Sequence, residues 1–286
     1  MTFTAADGTT LSYLATGEGE PLVVVPGGPG RDAAYLGDLG GLAQALGRRV
    51  VVLEPRGTGG SARPERHDAI TAEHIAEDLE TLRVELGVDR MDLVTHSAGA
   101  AVAYLYADTH PERLNRLVLL NPSGTMVGLK PSPAENARQV ALRENASWFA
   151  QARGALDLAA SIGWSPEIRQ ATAPFLYARW GRQEREHAAA ADTQIDQTVQ
   201  SAFWTGPTDR VALRERLEAV DVPVHVVVGE RDLAPGPVMG ERIARLFPYA
   251  EVHVLKDAAH FPWLDDSTSF RALMARALAD PLVSND

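Results

Sequence analysis

The sequence predicts an α/β fold: a mainly parallel, eight-stranded sheet with helices on both faces and a helical insertion. Short apolar runs recur along the chain, and longer amphipathic stretches separate them. This alternation stops between Leu120 and Val224. Strands that alternate with helices are typical of parallel sheets with right-handed crossovers. With 286 residues, the chain is expected to form one large domain or one domain with an insertion.

The chain begins with a predicted β-hairpin, which supplies the first two strands. Thr2 to Ala5 and Thr10 to Ala15 flank Asp7 and Gly8. Asp-Gly between two strand-like segments is a strong hairpin signal, because the turn needs residues that tolerate a positive φ.

Six apolar runs supply the remaining strands. Each run is continuous rather than alternating, which is typical of strands covered on both faces. Amphipathic stretches predict helices near residues 33–46, 71–86, 98–109, 237–247 and 267–279. The six runs are Leu22–Val25, Val50–Leu53, Met91–Thr95, Leu117–Leu120, Val224–Val228 and Val252–Leu255.

Residues 125–205 are predicted to form a helical cap inserted into a core built from residues 1–124 and 206–286. The segment is rich in Ala, Gln, Arg and Glu, and it contains no good strand run. It also holds four of the five tryptophans: Trp148, Trp164, Trp180 and Trp204. These side chains could build a small core of the insertion, or some could face a pocket beneath it.

Composition argues against several classes of function. The net charge of −11 argues against a nucleic-acid partner or an anionic membrane surface. With no cysteine, the chain has no disulfide framework and no thiolate metal site, and no other metal-ligand spacing is visible. The start lacks the pattern of a signal peptide, and no apolar run reaches the roughly 18 residues that span a bilayer. We expect a cytoplasmic protein without a metal or cofactor.

The segment from Thr95 to Gly99 is the strongest functional signal. It follows a buried-strand pattern and opens into an apolar helix, which is the context of a nucleophile elbow. Such a turn lifts the hydroxyl of Ser97 above the sheet edge and directs the amide of Ala98 to the same point. Thr95 stands where the usual G-x-S-x-G pattern has its first glycine. The alternative is an ordinary strand-to-helix turn with a capping serine.

Ser97 needs a base, and the base needs an acid, both from loops at the carboxyl ends of strands. Asp232 follows the run Val224–Val228 by four residues, and His260 follows Val252–Leu255 by five. These residues are predicted to form a Ser-Asp-His set. Asp257 is a poorer acid candidate, because it lies on the same loop as His260. The side chain of His96 is expected to diverge from that of Ser97 at the turn.

Four motifs resemble the prolyl aminopeptidase group of α/β-hydrolases. Pro26-Gly27-Gly28-Pro29-Gly30 resembles that group's H-G-G-P-G loop, and residues 54–61 (EPRGTGGS) resemble its D-x-R-G-x-G-x-S segment. The other two motifs are residues 229–232 (GERD) and 259–263 (AHFPW). The resemblance covers nearly the whole chain outside the insertion, and it implies the α/β-hydrolase fold.

The resemblance also implies roles for individual residues. Ser97 would be the nucleophile, His260 the base and Asp232 the acid that orients it. The amides of Gly28 and Ala98 would form the oxyanion hole. Two departures from the group are Pro26, in place of a histidine, and Thr95 in the elbow.

A third departure bears on the substrate. The insertion contains no segment like the group's E-N-H-Y-F motif, and its eight acidic residues are balanced by eight basic ones. Glu144, Glu184 and Glu186 could bind a substrate amine, although solvated helix positions are the simpler interpretation. We therefore expect an esterase or amidase acting on a small, apolar molecule or a short peptide. The residues predicted to bind that substrate are Trp148, Trp180, Trp204 and Phe261.

Three alternatives remain open at this stage. The chain could be a proline iminopeptidase that releases the N-terminal residue of peptides. It could be a ligand-binding protein on a hydrolase scaffold. It could also bind a dinucleotide, because residues 28–33 match G-x-G-x-x-A and Glu54 ends the next strand.

Overall fold

The eight predicted strands form a single sheet in this computed structural model, which describes residues 1–233 and 235–279. The spatial order is β1-β2-β4-β3-β5-β6-β7-β8. β1 and β2 pair antiparallel, as do β2 and β4, and the other neighbours are parallel. The strands are β1 Thr2–Thr4, β2 Thr10–Thr16, β3 Pro21–Val25, β4 Arg49–Glu54, β5 Met91–His96, β6 Leu114–Leu120, β7 Val224–Gly229 and β8 Ala250–Leu255.

The helices fall into two groups along the chain. Those outside the interval between β6 and β7 are α1 Leu42–Leu46, α2 Ala72–Glu85, α3 Ala100–Thr109, α10 Pro237–Ala244, α11 Pro262–Asp265 and α12 Ser267–Ala279. Those between β6 and β7 are α4 Pro133–Ala141, α5 Phe149–Ile162, α6 Pro166–Thr172, α7 Arg182–Gln194, α8 Gln197–Ala202 and α9 Arg210–Leu217.

Two hydrophobic layers cover the sheet. Successive strand residues point to opposite faces, so Val23 and Val25 of β3 enter one layer and Leu22 and Val24 enter the other. α2, α3, α9 and α10 contribute to the first layer, and α1 and α12 to the second. The predicted α/β class with helices on both faces is confirmed.

Two local predictions are wrong. The helix expected near residues 33–46 is split into a 3₁₀ turn at Ala33–Leu36 and the short α1. Gly37, Gly40 and Gly41 adopt positive φ between them, which a right-handed helix does not allow. β8 is an edge strand with Val254 46% exposed, so the expectation of cover on both faces fails there.

The predicted insertion coincides with the interval that holds α4 to α8, and no strand lies in it among the described residues. Its exact limits, 125–205, stay a prediction. The predicted core segment 206–286 runs on into residues 280–286, which lie outside the described residues. Within the described part of the chain, no helix is both long and apolar enough to cross a membrane.

Candidate active site

Three parallel strands deliver Ser97, Asp232 and His260 to one edge of the sheet. Ser97 follows β5, Asp232 follows β7 and His260 follows β8. His260 Nε2 lies 3.0 Å from Ser97 Oγ, and His260 Nδ1 lies 2.9 Å from Asp232 Oδ2. Asp232 is fully buried, whereas His260 is 9% exposed. A buried carboxylate that accepts from Nδ1–H leaves Nε2 as the acceptor that faces the serine hydroxyl.

Ser97 stands on a sharp turn that the sequence favours by its small residues. Its φ is +52°, a left-handed conformation that costs a non-glycine residue energy and recurs at functional sites. A Cβ on Gly99 would lie 2.6 Å from the Pro26 carbonyl oxygen and 2.7 Å from that of Val25. Gly99 therefore lets α3 start directly against the loop that follows β3.

Thr95 fits the elbow despite replacing a glycine. It is fully buried in the middle of the sheet, where it pairs with Val25 on one side and Leu119 on the other. Its Oγ1 has no hydrogen-bond partner among the described residues. The position of this turn that must be glycine is thus Gly99, where the backbone packs against the loop after β3. Threonine in place of glycine at position 95 leaves a buried hydroxyl without a described hydrogen-bond partner.

The glycine loop after β3 lies against the elbow. A Cβ on Gly27 would lie 2.6 Å from Ser97 Cβ, so only glycine fits there. Gly28 has a φ of +57°, and its N–H donates to no described group. Gly28 and Ser97 line the same cavity. A free amide beside a serine hydroxyl is the arrangement that stabilises an oxyanion.

The same loop is joined by backbone pairing to the end of α7. Arg31 and Ile195 form an antiparallel bridge. The Asp32 N–H donates to the Gln194 carbonyl at 2.9 Å, and the Asp196 N–H donates to the Gly30 carbonyl at 2.8 Å. We call this contact the loop–α7 bridge.

His96 does not point away from the site. Its Nε2 lies 2.9 Å from the His260 carbonyl oxygen, which can only accept, so Nε2 carries the proton. Its Nδ1 then accepts from the Tyr35 hydroxyl at 2.7 Å, and that hydroxyl accepts from the Gly27 N–H at 2.7 Å. Burial, together with the nearby His260, lowers the pKa of His96 well below its usual range, which keeps the ring neutral. This network ties the glycine loop to the elbow and to the backbone of His260.

Asn121, which sequence analysis missed, supports the acid. It is fully buried at the end of β6 with a φ of +44°. Its Nδ2 donates to Asp232 Oδ2 at 2.6 Å and to the Ala259 carbonyl at 3.1 Å. One amide thus orients the carboxylate and the loop that carries His260. Asp257, the other acid candidate, instead pairs with Arg231 in an exposed position.

A cavity of about 770 Å³ opens above Ser97 and His260. Much of its wall is apolar and comes from the helices between β6 and β7, including Val140, Leu156, Phe175 and Leu176. Phe261 lines it, as predicted from sequence. A second depression of about 1030 Å³ shares Tyr35 with this cavity but contains neither Ser97 nor His260.

Three of the predicted aromatic residues lie outside the lining of this cavity. Trp148 packs edge-on against Phe175 with ring centroids 5.1 Å apart, and Trp180 packs on Tyr177 at 5.4 Å. Trp204 packs on Phe203 at 4.7 Å. Their predicted contact with substrate finds no support in this placement, since they pack within the protein. Trp164, which is 58% exposed, does line the cavity.

The predicted amine partners also lie outside the cavity lining. Glu184 is buried, but it accepts the Gly181 N–H at 2.8 Å and so caps α7. Glu144 and Glu186 are exposed. Glu54, the acid of the dinucleotide alternative, accepts from Ser12 Oγ and the Gly60 N–H, and is thereby engaged within the sheet.

One group of possible metal ligands lies on β7 and β8 among the described residues. His225 Nδ1 is 3.0 Å from His253 Nε2, and the Glu251 carboxylate is 3.9 Å from the first and 3.6 Å from the second. The pairing of β7 with β8 places His225 opposite Glu251. Linear spacing does not show this group, because its members come from two strands.

His187 predicts a pH dependence of stability. Its Nε2 donates to the Tyr35 carbonyl at 2.9 Å, and its Nδ1 accepts from the Tyr177 hydroxyl at 2.7 Å. Burial lowers the pKa of His187 to about 4. Between that value and the unfolded-state value near 6.5, the unfolded chain binds more protons. Stability is therefore fully present above about pH 6.5 and is lost as the pH falls towards 4.

We expect His187→Gln to flatten this dependence. The wild type should lose about 1 kcal/mol more than the variant between about pH 7 and pH 5, after allowance for partial exposure. Urea unfolding at both pH values measures the difference. The difference between the losses of unfolding free energy in the wild type and in the variant excludes the contribution of His96, which both proteins share. Equal losses in the two proteins would show that His187 is not the titrating group.

Comparison with known proteins places this geometry in context. A family model described as the alpha/beta hydrolase fold matches residues 20–267. The chain is 25% identical over 280 positions to the AB hydrolase superfamily protein YclE of Bacillus subtilis, covering 93% of this chain and 94% of that protein. It is 25% identical over 295 positions to a proline iminopeptidase of Lactobacillus delbrueckii subsp. lactis, with 93% and 91% covered.

Two solved structures are similar over 97% of both chains. The proline iminopeptidase of Mycobacterium smegmatis has a TM-score of 0.74 at 24% identity. A thermophilic esterase from Thermogutta terrifontis has a TM-score of 0.66 at 23% identity. At these identities the likeness shows a shared fold.

Proposed function

The chain belongs to the alpha/beta hydrolase fold family, and on this premise we propose that it is a serine hydrolase. It cleaves an ester or amide bond of a small, mainly apolar substrate through Ser97, His260 and Asp232. The observation that carries the proposal is the continuous hydrogen-bonded path from Ser97 Oγ through His260 to the buried Asp232, at 3.0 Å and 2.9 Å.

The mechanism follows from the donors and acceptors of this path. His260 Nε2 takes the hydroxyl proton as Ser97 Oγ attacks the carbonyl carbon, and Asp232 stabilises the imidazolium that forms. Collapse of the tetrahedral intermediate expels the alcohol or amine, which takes the proton from His260. Water, deprotonated by His260, then attacks the acyl-enzyme. Collapse of this second tetrahedral intermediate releases the acid, and His260 returns the proton to Ser97 Oγ.

The oxyanion is assigned to the amides of Gly28 and Ala98. Gly28 lines the cavity with a positive φ and an N–H that has no described acceptor. Ala98 follows the nucleophile directly and is buried. Removing one such donor typically costs about 100- to 1000-fold in kcat.

The substrate class is argued from the cavity wall. The apolar side chains contributed by residues 131–195 favour recognition by buried apolar area, at roughly 25 cal/mol per Å². On this basis α4 to α7 act as a cap over Ser97, which is the role predicted for residues 125–205.

A proline iminopeptidase is the second candidate, favoured by relatives of that name. An ammonium site needs an unpaired carboxylate near the scissile bond. Among the described residues that line the cavity, the acids are Asp157 and Asp192, both exposed, and Asp157 pairs with Arg153. The buried charge in the wall is instead Arg31, which would repel an amine.

A substrate comparison separates the two candidates. We expect medium-chain p-nitrophenyl esters to be cleaved at least as well as proline p-nitroanilide, and N-acetylation of the anilide to be tolerated. The quantity to measure is kcat/KM for all three. An aminopeptidase site would give a loss of about 100-fold or more on N-acetylation, because the blocked substrate leaves its carboxylate unpaired. Such a loss, with poor ester cleavage, would overturn the esterase proposal.

A further inference from the structure

Arg31 is a buried cation in the wall of the cavity. It is 7% exposed and lines the same space as Ser97, Gly28 and His260. Among the described residues no carboxylate lies within ion-pair distance of its guanidinium. The neighbouring Asp32 directs its carboxylate to the Ala34 N–H, where it caps the turn that follows.

The contacts of Arg31 are all neutral. Its Nε donates to Gln194 Oε1 at 3.0 Å, and its Nη2 donates to the His187 carbonyl at 3.2 Å. The guanidinium carbon lies 4.5 Å from the centroid of the Tyr35 ring and 6.0 Å from that of Phe261. These partners orient the side chain, but they do not compensate its charge.

Asp32 attracts the Arg31 charge through space, but no ion pair joins the two side chains among the described residues. Burial holds His96 and His187 neutral by lowering the pKa of each. Of the other cavity-lining charges, Arg153 pairs with Asp157, while Arg169 and Asp192 are more exposed than Arg31. The chain as a whole has a net charge of −11, whereas the cavity wall contains a buried positive charge. A bound anion would balance that charge.

We propose that Arg31 binds a carboxylate of the substrate, so that the enzyme acts on esters or amides that carry a carboxylate within a few bonds of the scissile carbonyl. This inference rests on the proposed function for the reaction, but the anion site itself is defined by Arg31 alone. Nη1, for which no acceptor is found among the described residues, supplies the donor, and charge-assisted bonds of this kind are the strong ones. The apolar side chains of the cavity wall contact the remainder of the substrate.

The position of Arg31 is fixed rather than adaptable. Its own N–H donates to the Gly28 carbonyl at 2.6 Å, and the loop–α7 bridge holds its backbone on the other side. A carboxylate on Arg31 would therefore lie at a fixed position relative to the Gly28 amide, to which the proposed function assigns the oxyanion. Binding energy at the anion would then position the scissile bond.

The test compares matched charged and neutral substrates. One pair, p-nitrophenyl hydrogen glutarate and its methyl ester, carries the carboxylate on the acyl side. The other pair, para-carboxyphenyl and para-carbamoylphenyl hexanoate, carries it on the leaving group. We expect the charged member of at least one pair to have the higher kcat/KM in the wild type. Arg31→Gln should lower kcat/KM for that member by about 100-fold and lower it less for its neutral partner.

Two further variants keep the result specific. Arg31→Lys retains the charge without the planar fork and should restore part of the preference. Arg169→Gln removes another positive charge from the cavity wall and should change the charged-to-neutral ratio by less than about threefold, because that group is more exposed. The proposal is overturned if both pairs favour the neutral member, if the preference survives Arg31→Gln, or if Arg169→Gln abolishes it equally.

A binding measurement separates this inference from the reaction. Calorimetry on the Ser97→Ala protein, with and without Arg31→Gln, would use glutaric acid mono-anilide and its methyl ester. Charge-selective binding that depends on Arg31 would support the anion site even if no substrate were hydrolysed, and only the proposed function would then fail. Binding without charge selectivity, alongside active ester cleavage, would sink the anion site and leave the function intact.

Discussion

Ser97→Ala is expected to abolish labelling by a fluorophosphonate probe and to lower kcat by about 10⁴-fold or more. The probe reacts with a serine hydroxyl only when a base takes its proton. Among the described side chains, His260 is the base that contacts Ser97 Oγ. Alanine keeps the small size that the turn requires, so the variant should fold. Intact-mass analysis of labelled protein and the initial rates on a p-nitrophenyl ester are the two measurements.

Ser123→Ala is the matched control. Ser123 also follows a strand of the sheet, but its hydroxyl bonds to Thr125 Oγ1 at 3.1 Å and makes no described contact with His260. Labelling of this variant should be unchanged. If label still attached to the Ser97→Ala protein, the nucleophile would be elsewhere. If the folded wild type took up no label and cleaved no ester, the alternative of a ligand-binding protein on this scaffold would stand.

Asp232→Asn should fold normally and lose about 10³- to 10⁴-fold in kcat. In the wild type, the Asp232 carboxylate accepts hydrogen bonds from His260 Nδ1 at 2.9 Å and from Asn121 Nδ2 at 2.6 Å. An asparagine amide brings its own donors to this place, so it favours the imidazole tautomer with the proton on Nε2. That tautomer cannot take the proton of Ser97. Stopped assays of kcat, with thermal melting as a check on folding, measure the effect.

Asp257→Asn provides the comparison, because it removes a carboxylate from the same end of the sheet. Asp257 is exposed and pairs with Arg231, so the change should alter kcat by less than about threefold. A reversal, in which Asp257→Asn cripples the enzyme and Asp232→Asn is mild, would show that the acid has been misassigned.

The fold was largely predictable because its signals are local. Continuous apolar runs marked the strands, Asp7-Gly8 marked the hairpin, and the loss of alternation marked the helices between β6 and β7. The order of Ser97, Asp232 and His260 at strand ends could be chosen from sequence for the same reason. Parallel strands bring their carboxyl ends to one edge, whatever the distance along the chain.

The parts of the candidate site that the sequence does not predict depend on contacts between segments distant in the chain. The elements that carry Tyr35, His96 and Asn121 come together only in the folded chain. No sequence motif predicts the hydrogen bonds that these three side chains form. The cluster on β7 and β8 exists only through strand register. Composition does not show whether a tryptophan of the insertion packs in a small helical core or binds a substrate, because a large aromatic side chain suits both places.

The loop–α7 bridge joins α7, which contributes to the cavity wall, to the glycine loop that lies against Ser97. Two backbone hydrogen bonds join residues 30–32 to residues 194–196, and a Cβ on Gly30 would clash with the Asp196 carbonyl oxygen. A rigid displacement of α7 would therefore be transmitted to residues 30–32, which begin two residues after Gly28. Since we propose that the Gly28 amide binds the oxyanion, we expect access to the cavity and the rate of the proposed reaction to depend on this one contact.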